Sequence, residues 1–391
     1  MIIHTKDIID RGELKVINKK QNLNGILKVK DRIVLYLEKG IKNTKEIENE
    51  LKLKGRTTRK ALFDLENEKI VKRFRKEKMK RKLGESDSWK LIKKKNILKT
   101  VPKGKICIFY NTYHGNKTYK NHFIIIPKIL LLNENHLSAL GFFQAEGSKK
   151  RKSVEIVNSE LQLINLFLNF LDHFGIKKEN LRFRITLNKK ILTKLKMKRK
   201  NLEEKSMIFW NNLVDNSKYK YKKINYAGSS IGNLRKETPK HGSLSIEYCN
   251  TKFRLFLKKL LEYTKKNLVN KEDIVAYLRG FFAGEAYVGK KDREIQIASI
   301  DLEELNFVKK LLEKLDLPCS ISKETSTSPP RIIITKLKSF LILEELDIFK
   351  FHHIKKRNLL IKMMNYKTLD ENLRRKYNKK LNFLIQKRIS T

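Results

Sequence analysis

Crosslinks, metal-finger spacings and membrane spans are all missing from this 391-residue chain. It has three cysteines, Cys107, Cys249 and Cys319, and none forms a Cys-x-x-Cys pair. Neither a zinc site nor a disulfide framework is indicated by that spacing. The longest apolar stretch, Phe123–Leu132, is broken by Pro127 and Lys128 and is too short to cross a bilayer. The first residues, Met1-Ile2-Ile3-His4-Thr5-Lys6, lack the layout of a signal peptide. Acidic residues are scarce as well: 42 Asp and Glu stand against 89 Lys and Arg, a formal charge of +47. The expected compartment is the cytoplasm, with nucleoid association, an organelle remaining open, and no membrane as partner.

What is present is a large positive excess on a foldable chain. Forty per cent hydrophobic content is enough to bury a core, which argues against a disordered tail protein. The length suggests two or three domains. The charge calls for a polyanion. Nucleic acid fits best, because its phosphates reward many Lys and Arg contacts through counterion release. An anionic membrane surface is the rival explanation of basicity.

Residues 1–30 read as an N-terminal extension and residues 31–95 as one small domain. Within it Arg32–Lys39 is a short helix. Asn43-Thr44-Lys45-Glu46-Ile47 is a capped helix start, with Thr44 or Asn43 as the cap, running to about Leu51. Arg56–Glu66 is a further helix with Ala61, Leu62 and Leu65 inward. Ile70–Phe74 and Trp89–Ile92 are strands joined by the basic Arg75–Lys82. This succession resembles a winged helix-turn-helix domain, in which the second helix of the pair enters the major groove. Its groove-facing candidates are Arg56, Thr57, Arg59 and Lys60; the competing reading is a solvated helix face. Residues 96–130 read as a linker in which only Lys105–Tyr110 has strand character.

An internal repeat follows. Ala139–Gly147 parallels Leu278–Ala286 at an offset of 139, and Val154–Ile176 parallels Ile295–Leu317 at an offset of 141. Ile156 falls on Ile297, Leu161 on Leu302, Leu171 on Leu312 and Ile176 on Leu317. Fixed-period similarity of this kind marks a duplication. The halves are placed at 131–268, with a Lys-rich insertion over 188–240 carrying a helix near Leu202–Leu213, and at 269–358. A basic helical tail covers 359–391. Strands alternate within each half: Leu181, Phe183, Ile185 and Leu187 oppose Arg182, Arg184 and Thr186. Such strands bury one face and leave the other polar. The first polar face reads as cationic, as a duplex-binding surface should be. Candidates for duplex contact are Lys149, Lys150, Arg151, Arg182, Arg184, Arg293, Gln296 and Arg331.

The matched helices carry the chemistry. Gly141 and Ala145, then Gly280 and Gly284, recur four apart and so share a helix face. Small residues there let two backbones approach closely, with Phe142, Phe143, Phe281 and Phe282 filling the flanks. Glu146 and Glu285 then fall at the C-terminal ends of their helices. A carboxylate there opposes the helix dipole by roughly 0.3–1 kcal/mol, and two side by side repel. Divalent cations resolve the conflict. Mg²⁺ takes one or two carboxylates together with waters and phosphate oxygens, and can activate water and stabilise a leaving oxygen.

These nine-residue segments resemble the motif of the LAGLIDADG homing endonuclease family, and the resemblance runs from Asn133 to about Asn358. It implies an α+β fold of two pseudo-symmetric αββαββα half-domains forming a saddle-shaped sheet over double-stranded DNA, here preceded by the winged helix. It implies a monomer that cleaves both strands across the minor groove with Mg²⁺ or Mn²⁺, leaving short 3′ overhangs. By the resemblance Glu146 and Glu285 are metal-binding catalytic acids, the backbone carbonyls of Ala145 and Gly284 are accessory ligands, and Lys252 and Lys336 are the basic residues near the reacting phosphates. Two departures stand out: the usually acidic sixth position holds Gln144 and Ala283, and the ninth holds Gly147 in one copy but Ala286 in the other. An intein is disfavoured, since the chain starts with Met1 and ends Ile389-Ser390-Thr391 without His-Asn. The expected function is a site-specific homing-type DNA endonuclease. The alternatives are a catalytically inactive DNA-binding regulator and a maturase with intron RNA as partner on the same fold.

Overall fold

The computed structural model describes residues 1–9, 15–17, 29–74, 87–92, 104–109, 112–114, 117–119, 123–148, 153–188, 198–214, 224–227, 241–289, 294–322 and 329–351. Two compact units result: His4–Leu130, and Met1–Ile3 together with Leu131–Thr391.

In the first unit, helices Val29–Leu37, Thr44–Leu51 and Gly55–Asn67 pack with a three-stranded antiparallel sheet. Ser88–Leu91 is its central strand, between Lys42–Asn43 and Val71–Phe74. Of the two candidate caps it is Asn43 that acts. Its side chain accepts from the Glu46 amide at 2.8 Å while the Glu46 carboxylate accepts from the Asn43 amide at 3.2 Å, a full capping box. Ile33, Val34, Leu37, Ile47, Ala61, Leu62, Leu65, Val71 and Trp89 form one buried cluster. The Trp89 indole N–H, buried with its ring, donates to the Thr44 hydroxyl at 3.0 Å. The basic connection Arg75–Lys82 lies outside the described residues.

Where the sequence reading expects an extension and a linker, the structure has a second sheet. Lys105–Phe109 is flanked on both sides, antiparallel, by Lys15–Ile17 and Phe123–Pro127. The strand read at Lys105–Tyr110 is present as Lys105–Phe109, although Ile106, Cys107 and Ile108 are consecutive and all buried and so do not alternate. Burial pushes the Cys107 thiol up to about 12, which leaves it a small inert hydrophobe.

The second unit holds the repeat. Its second half runs helix Lys271–Glu285, strands Ala286–Gly289 and Glu294–Ala298, helix Leu302–Glu313, strands Ser320–Ser322 and Arg331–Ile334, helix Leu337–Glu345. That is αββαββα. The four strands form an antiparallel sheet with Glu294–Ala298 and Arg331–Ile334 at its centre. The first half repeats the order: helix Glu134–Glu146, strand Val154–Asn158, helix Leu161–His173, strands Arg182–Asn188 and Ser243–Tyr248, helix Thr251–Asn267. Residues 149–152, where its first hairpin strand is expected, lie outside the described residues, but the Ser148 amide already donates to the Glu155 carbonyl at 3.0 Å. The insertion supplies helix Arg199–Val214 and a strand the sequence reading missed. Ile224–Ala227 adds parallel to Arg182–Asn188 at the sheet edge. The 359–391 tail lies outside the described residues.

Each sheet buries its apolar face, with Phe183, Ile185, Leu187, Leu244 and Ile246 in one half and Ile295, Ile297, Ile332 and Ile334 in the other. Between the halves the two motif helices meet backbone to backbone. A Cβ added at Gly280 would overlap the Ser138 carbonyl oxygen and come within 2.8 Å of the Phe142 amide nitrogen. One at Gly141 would overlap the Tyr277 carbonyl oxygen. The Ser138 hydroxyl donates across the seam to the Ala276 carbonyl at 2.7 Å. The atoms in the way are backbone, so they cannot swing aside. Gly280→Ala should therefore destabilise the protein by about 3 kcal/mol, the upper range for overpacking. Ala145→Gly on the same seam should cost about 1 kcal/mol, its helix-propensity difference. Urea denaturation midpoints check both.

Candidate functional site

Both motif helices stop at their glutamates. Asn133 caps the start of the first by accepting from the His136 amide at 3.0 Å, and Asn270 caps the second from the Asp273 amide at 2.9 Å. Glu146 and Glu285 are their last residues. The chain leaves through Gly147 (φ −69°, ψ 139°) and Ala286 (φ −76°, ψ 128°), both extended. Negative φ makes alanine as acceptable as glycine for the backbone at the ninth position, so the departure at Ala286 does not disturb the helix end.

The two ends lie against each other. A Cβ on Gly284 would approach Ala145 Cβ to 2.6 Å and Glu146 Cγ to 2.9 Å. The absent side chain of Gly284 is thus the space that the Glu146 side chain passes through. Glu146 is exposed and Glu285 half-buried. Among the described residues no group of three or more His, Cys, Asp or Glu side chains is placed to hold a metal. Two carboxylates at adjoining helix ends, with the Ala145 and Gly284 carbonyls beside them, are oxygen donors of the kind Mg²⁺ accepts, and such an ion would complete its shell with waters and phosphate oxygens.

The two candidate lysines differ. Lys252 sits in the first turn of Thr251–Asn267 and is 2% exposed, while Lys336 is the exposed residue before Leu337–Glu345. Burial pulls the Lys252 ammonium below its ordinary value.

The sheet faces correct one expectation. The first polar face is not simply cationic. Arg184 lies between two carboxylates, 3.6 Å from Glu155 and 3.8 Å from Glu247. These glutamates are cross-strand partners, and Ser245 and Ser153 donate to them at 2.8 Å each. Arg182 remains exposed on this face. On the second half Arg331 donates to the Gln296 side-chain Oε1 at 2.9 Å, and the Gln296 side-chain amide donates to the Glu294 carboxylate. Lys149, Lys150, Arg151 and Arg293 lie outside the described residues. In the other unit Arg56, Thr57, Arg59 and Lys60 lie on helix Gly55–Asn67 away from its core, while Thr58, Ala61, Leu62 and Leu65 are buried.

One polar contact has no place in the sequence reading. Gln144 is 7% exposed and donates from its amide to Glu304, itself 4% exposed, on helix Leu302–Glu313 of the other half. A signal for it exists in the sequence. Gln144 falls on Ala283 and Glu304 on Leu163 in the repeat, two polar residues where the partner copy is apolar.

The family model of the LAGLIDADG-like domain matches residues 272–373. The second half is a LAGLIDADG-like domain. Its αββαββα order from Lys271 to Glu345 falls within or at the edge of that stretch. The described elements of the first half follow the same order apart from its first hairpin strand, so the larger unit is α+β with two similarly built halves. No curated protein matches the chain. Similar solved structures include mesophilic variants of the homing endonuclease I-DmoI, at 13% identity over 55% of this chain and 90% of that one, with a TM-score of 0.33. I-DmoI in complex with DNA and Mn is also 13% identical, over 56% and 98%, with a TM-score of 0.33. Full-length DUF199/WhiA from Thermatoga maritima is 13% identical over 67% and 69%, with a TM-score of 0.32. No described helix is long and apolar enough to cross a membrane.

The Lys252 shift gives a pH signature. With the folded value depressed, the unfolded state holds more protons between the folded value and the ordinary 10.5, so the parent gains stability as pH rises through that window. Lys252→Met removes this gain. Its stability relative to the parent should fall as pH is raised towards 10.5, read from denaturation midpoints across that range.

Proposed function

We propose that the larger unit is a Mg²⁺- or Mn²⁺-dependent endonuclease for double-stranded DNA, acting as a monomer with internal pseudo-twofold symmetry. The observation that carries this reading is the meeting of the two motif helices at their glutamate ends, with Gly284 clearing a path beside Glu146. Carboxylates at two adjoining helix C-termini oppose both helix dipoles and repel each other. A divalent cation held by them would offset that charge and would supply Lewis-acid chemistry to a phosphodiester. The chain's charge of +47 supplies the long-range attraction for such a substrate.

Glu146 and Glu285 would hold the metal, with the Ala145 and Gly284 carbonyls beside them. When bound, the ion supplies Lewis-acid charge and an activated water. The chain's own contribution is placement. The seam fixes the helix ends, the sheets' polar faces take the duplex, and Lys252 and Lys336 provide positive charge near the scissile phosphates. In this reading the DNA lies on a saddle formed by both sheets. The unit containing Gly55–Asn67 acts as a winged helix, its Arg56, Thr57, Arg59 and Lys60 set toward a major groove.

The primary test is incubation with a randomised duplex library and Mg²⁺, with sequencing of cut ends. Glu146→Gln and Glu285→Gln should each lower cleavage by roughly 10³-fold, several kcal/mol of transition-state stabilisation, while binding is kept or tightened. Cutting at the parent rate by either variant overturns the assignment. Tight, salt-sensitive binding with no cutting by the parent would replace the nuclease with a DNA-binding regulator, or with an RNA maturase if intron RNA binds better. For the smaller unit, the triple variant Arg56→Ala, Arg59→Ala, Lys60→Ala should flatten the slope of log K against log salt by about 0.9 for each phosphate that is no longer neutralised. An unchanged slope removes those residues from the interface.

A further inference from the structure

Gln144 stands two residues before Glu146, in the last turn of the first motif helix. Its amide donates to the carboxylate of Glu304, in the first turn of helix Leu302–Glu313 of the opposite half. The second Glu304 oxygen accepts from the Ser299 hydroxyl at 2.8 Å, and the Glu304 backbone amide donates to the Asp301 carboxylate at 3.2 Å. Glu304 is thus held from its own half by Ser299 and Asp301 and reaches across to Gln144. Its charge is also felt by the second motif helix: the wholly buried Tyr277 hydroxyl is raised well above its ordinary value, first by burial and then by Glu304. A nearly buried carboxylate is costly unless it is hydrogen-bonded. The partner copy does without it, since Ala283 and Leu163 occupy the corresponding sequence positions.

We propose that Gln144 and Glu304 form a latch between the two halves that positions Glu146 against Glu285, a pair replaced by Ala283 and Leu163 at the corresponding positions of the repeat. Both are positioning residues rather than catalytic ones. The backbone-to-backbone contacts of the seam lie along Gly141 and Gly280, and Gly284 against Ala145 carries close packing to the helix ends; the latch adds a directional polar tie there. At that last turn a displacement of about 1 Å can cost on the order of 10²-fold in rate. The kinetic part rests on the nuclease reading, and the latch itself does not.

The test compares three forms of the full chain. Gln144→Ala with Glu304→Leu reproduces the apolar pair of the partner copy. Replacing both members with the apolar residues of the repeat leaves no buried carboxylate unpaired, so the double variant should cost less stability than Gln144→Leu alone and keep its fold. Glu304→Gln keeps an acceptor for Gln144. Gln144→Leu alone strands the carboxylate and should lower the denaturation midpoint below that of the double variant. Amide hydrogen exchange by mass spectrometry, without DNA or metal, should speed up at least about tenfold over residues 143–148 in the double variant. It should stay at the parent rate over residues 282–286, and Glu304→Gln should behave as the parent. On a duplex recovered from the library, the double variant should fall roughly ten- to hundredfold in kcat with KM unchanged. Parent-like exchange at the first helix end in a stably folded double variant overturns the latch, as does equal loosening of both ends. A parent that cuts no duplex sinks the nuclease reading while the exchange comparison still decides the latch.

Discussion

The contact between two helix backbones governs the larger unit. Side chains normally keep packed helices about 8–10 Å apart. Here Gly141 and Gly280 remove them, and Ser138 turns its hydroxyl onto the Ala276 carbonyl across the seam. The first helix has buried residues on more than one side, from Leu137 through Phe142 to Gln144. A helix apolar all round must lie in an interior, and that interior is the one made by both halves together. Backbone contact leaves no freedom to slide, because a shift along the seam drives a carbonyl into a side chain. The ends of both helices therefore fall at one place, and so do their glutamates. The sheets, the flanking helices and the insertion are supports around that join.

Much of this is legible in the chain because the duplication writes it twice. Helices Leu161–His173 and Leu302–Glu313 start 141 residues apart, as the offset requires. The small-residue spacing anticipates the seam, and the placement of Glu146 and Glu285 at helix ends follows from it. Of the sheet made by Lys15–Ile17, Lys105–Phe109 and Phe123–Pro127, only the central strand is legible. Its flanks are not, because pairing is not written in either segment, and Phe123–Pro127 is a continuous apolar run without a period. Strand Ile224–Ala227 is hidden for a related reason: four residues in a Lys-rich insertion become a strand only because Arg182–Asn188 offers an open edge. Alternation places Arg184 on the polar face correctly. It gives no register, and register is what brings Glu155 and Glu247 together around that arginine.

The charge of the chain thus says little about the charge of one surface. With a formal +47 overall, a cationic sheet face is the natural expectation. Yet a cross-strand carboxylate pair sits there, its repulsion offset by Arg184 between them and by hydroxyls from Ser153 and Ser245. A pair of like charges that is this well bonded is a fixed feature and not a loose surface group.

Corresponding positions in the repeat make the divergence of the halves concrete. Glu155 and Gln296 match at the offset of 141. Strand register aligns Ile246 with Ile332, and hence Ser245 with Arg331. In each half the second residue bonds the first: Ser245 to Glu155, Arg331 to Gln296. The geometry of the bond survived while its chemistry inverted. One face holds a carboxylate served by a neutral donor, and the other an arginine served by a neutral acceptor. A like divergence recurs at the seam, where Gln144 and Glu304 stand against Ala283 and Leu163. A pseudo-twofold frame with unlike polar groups at matched positions cannot present the same surface to both halves of a symmetric ligand. The backbone symmetry brings the two glutamate ends together, and the side-chain asymmetry makes the two sides of that place different.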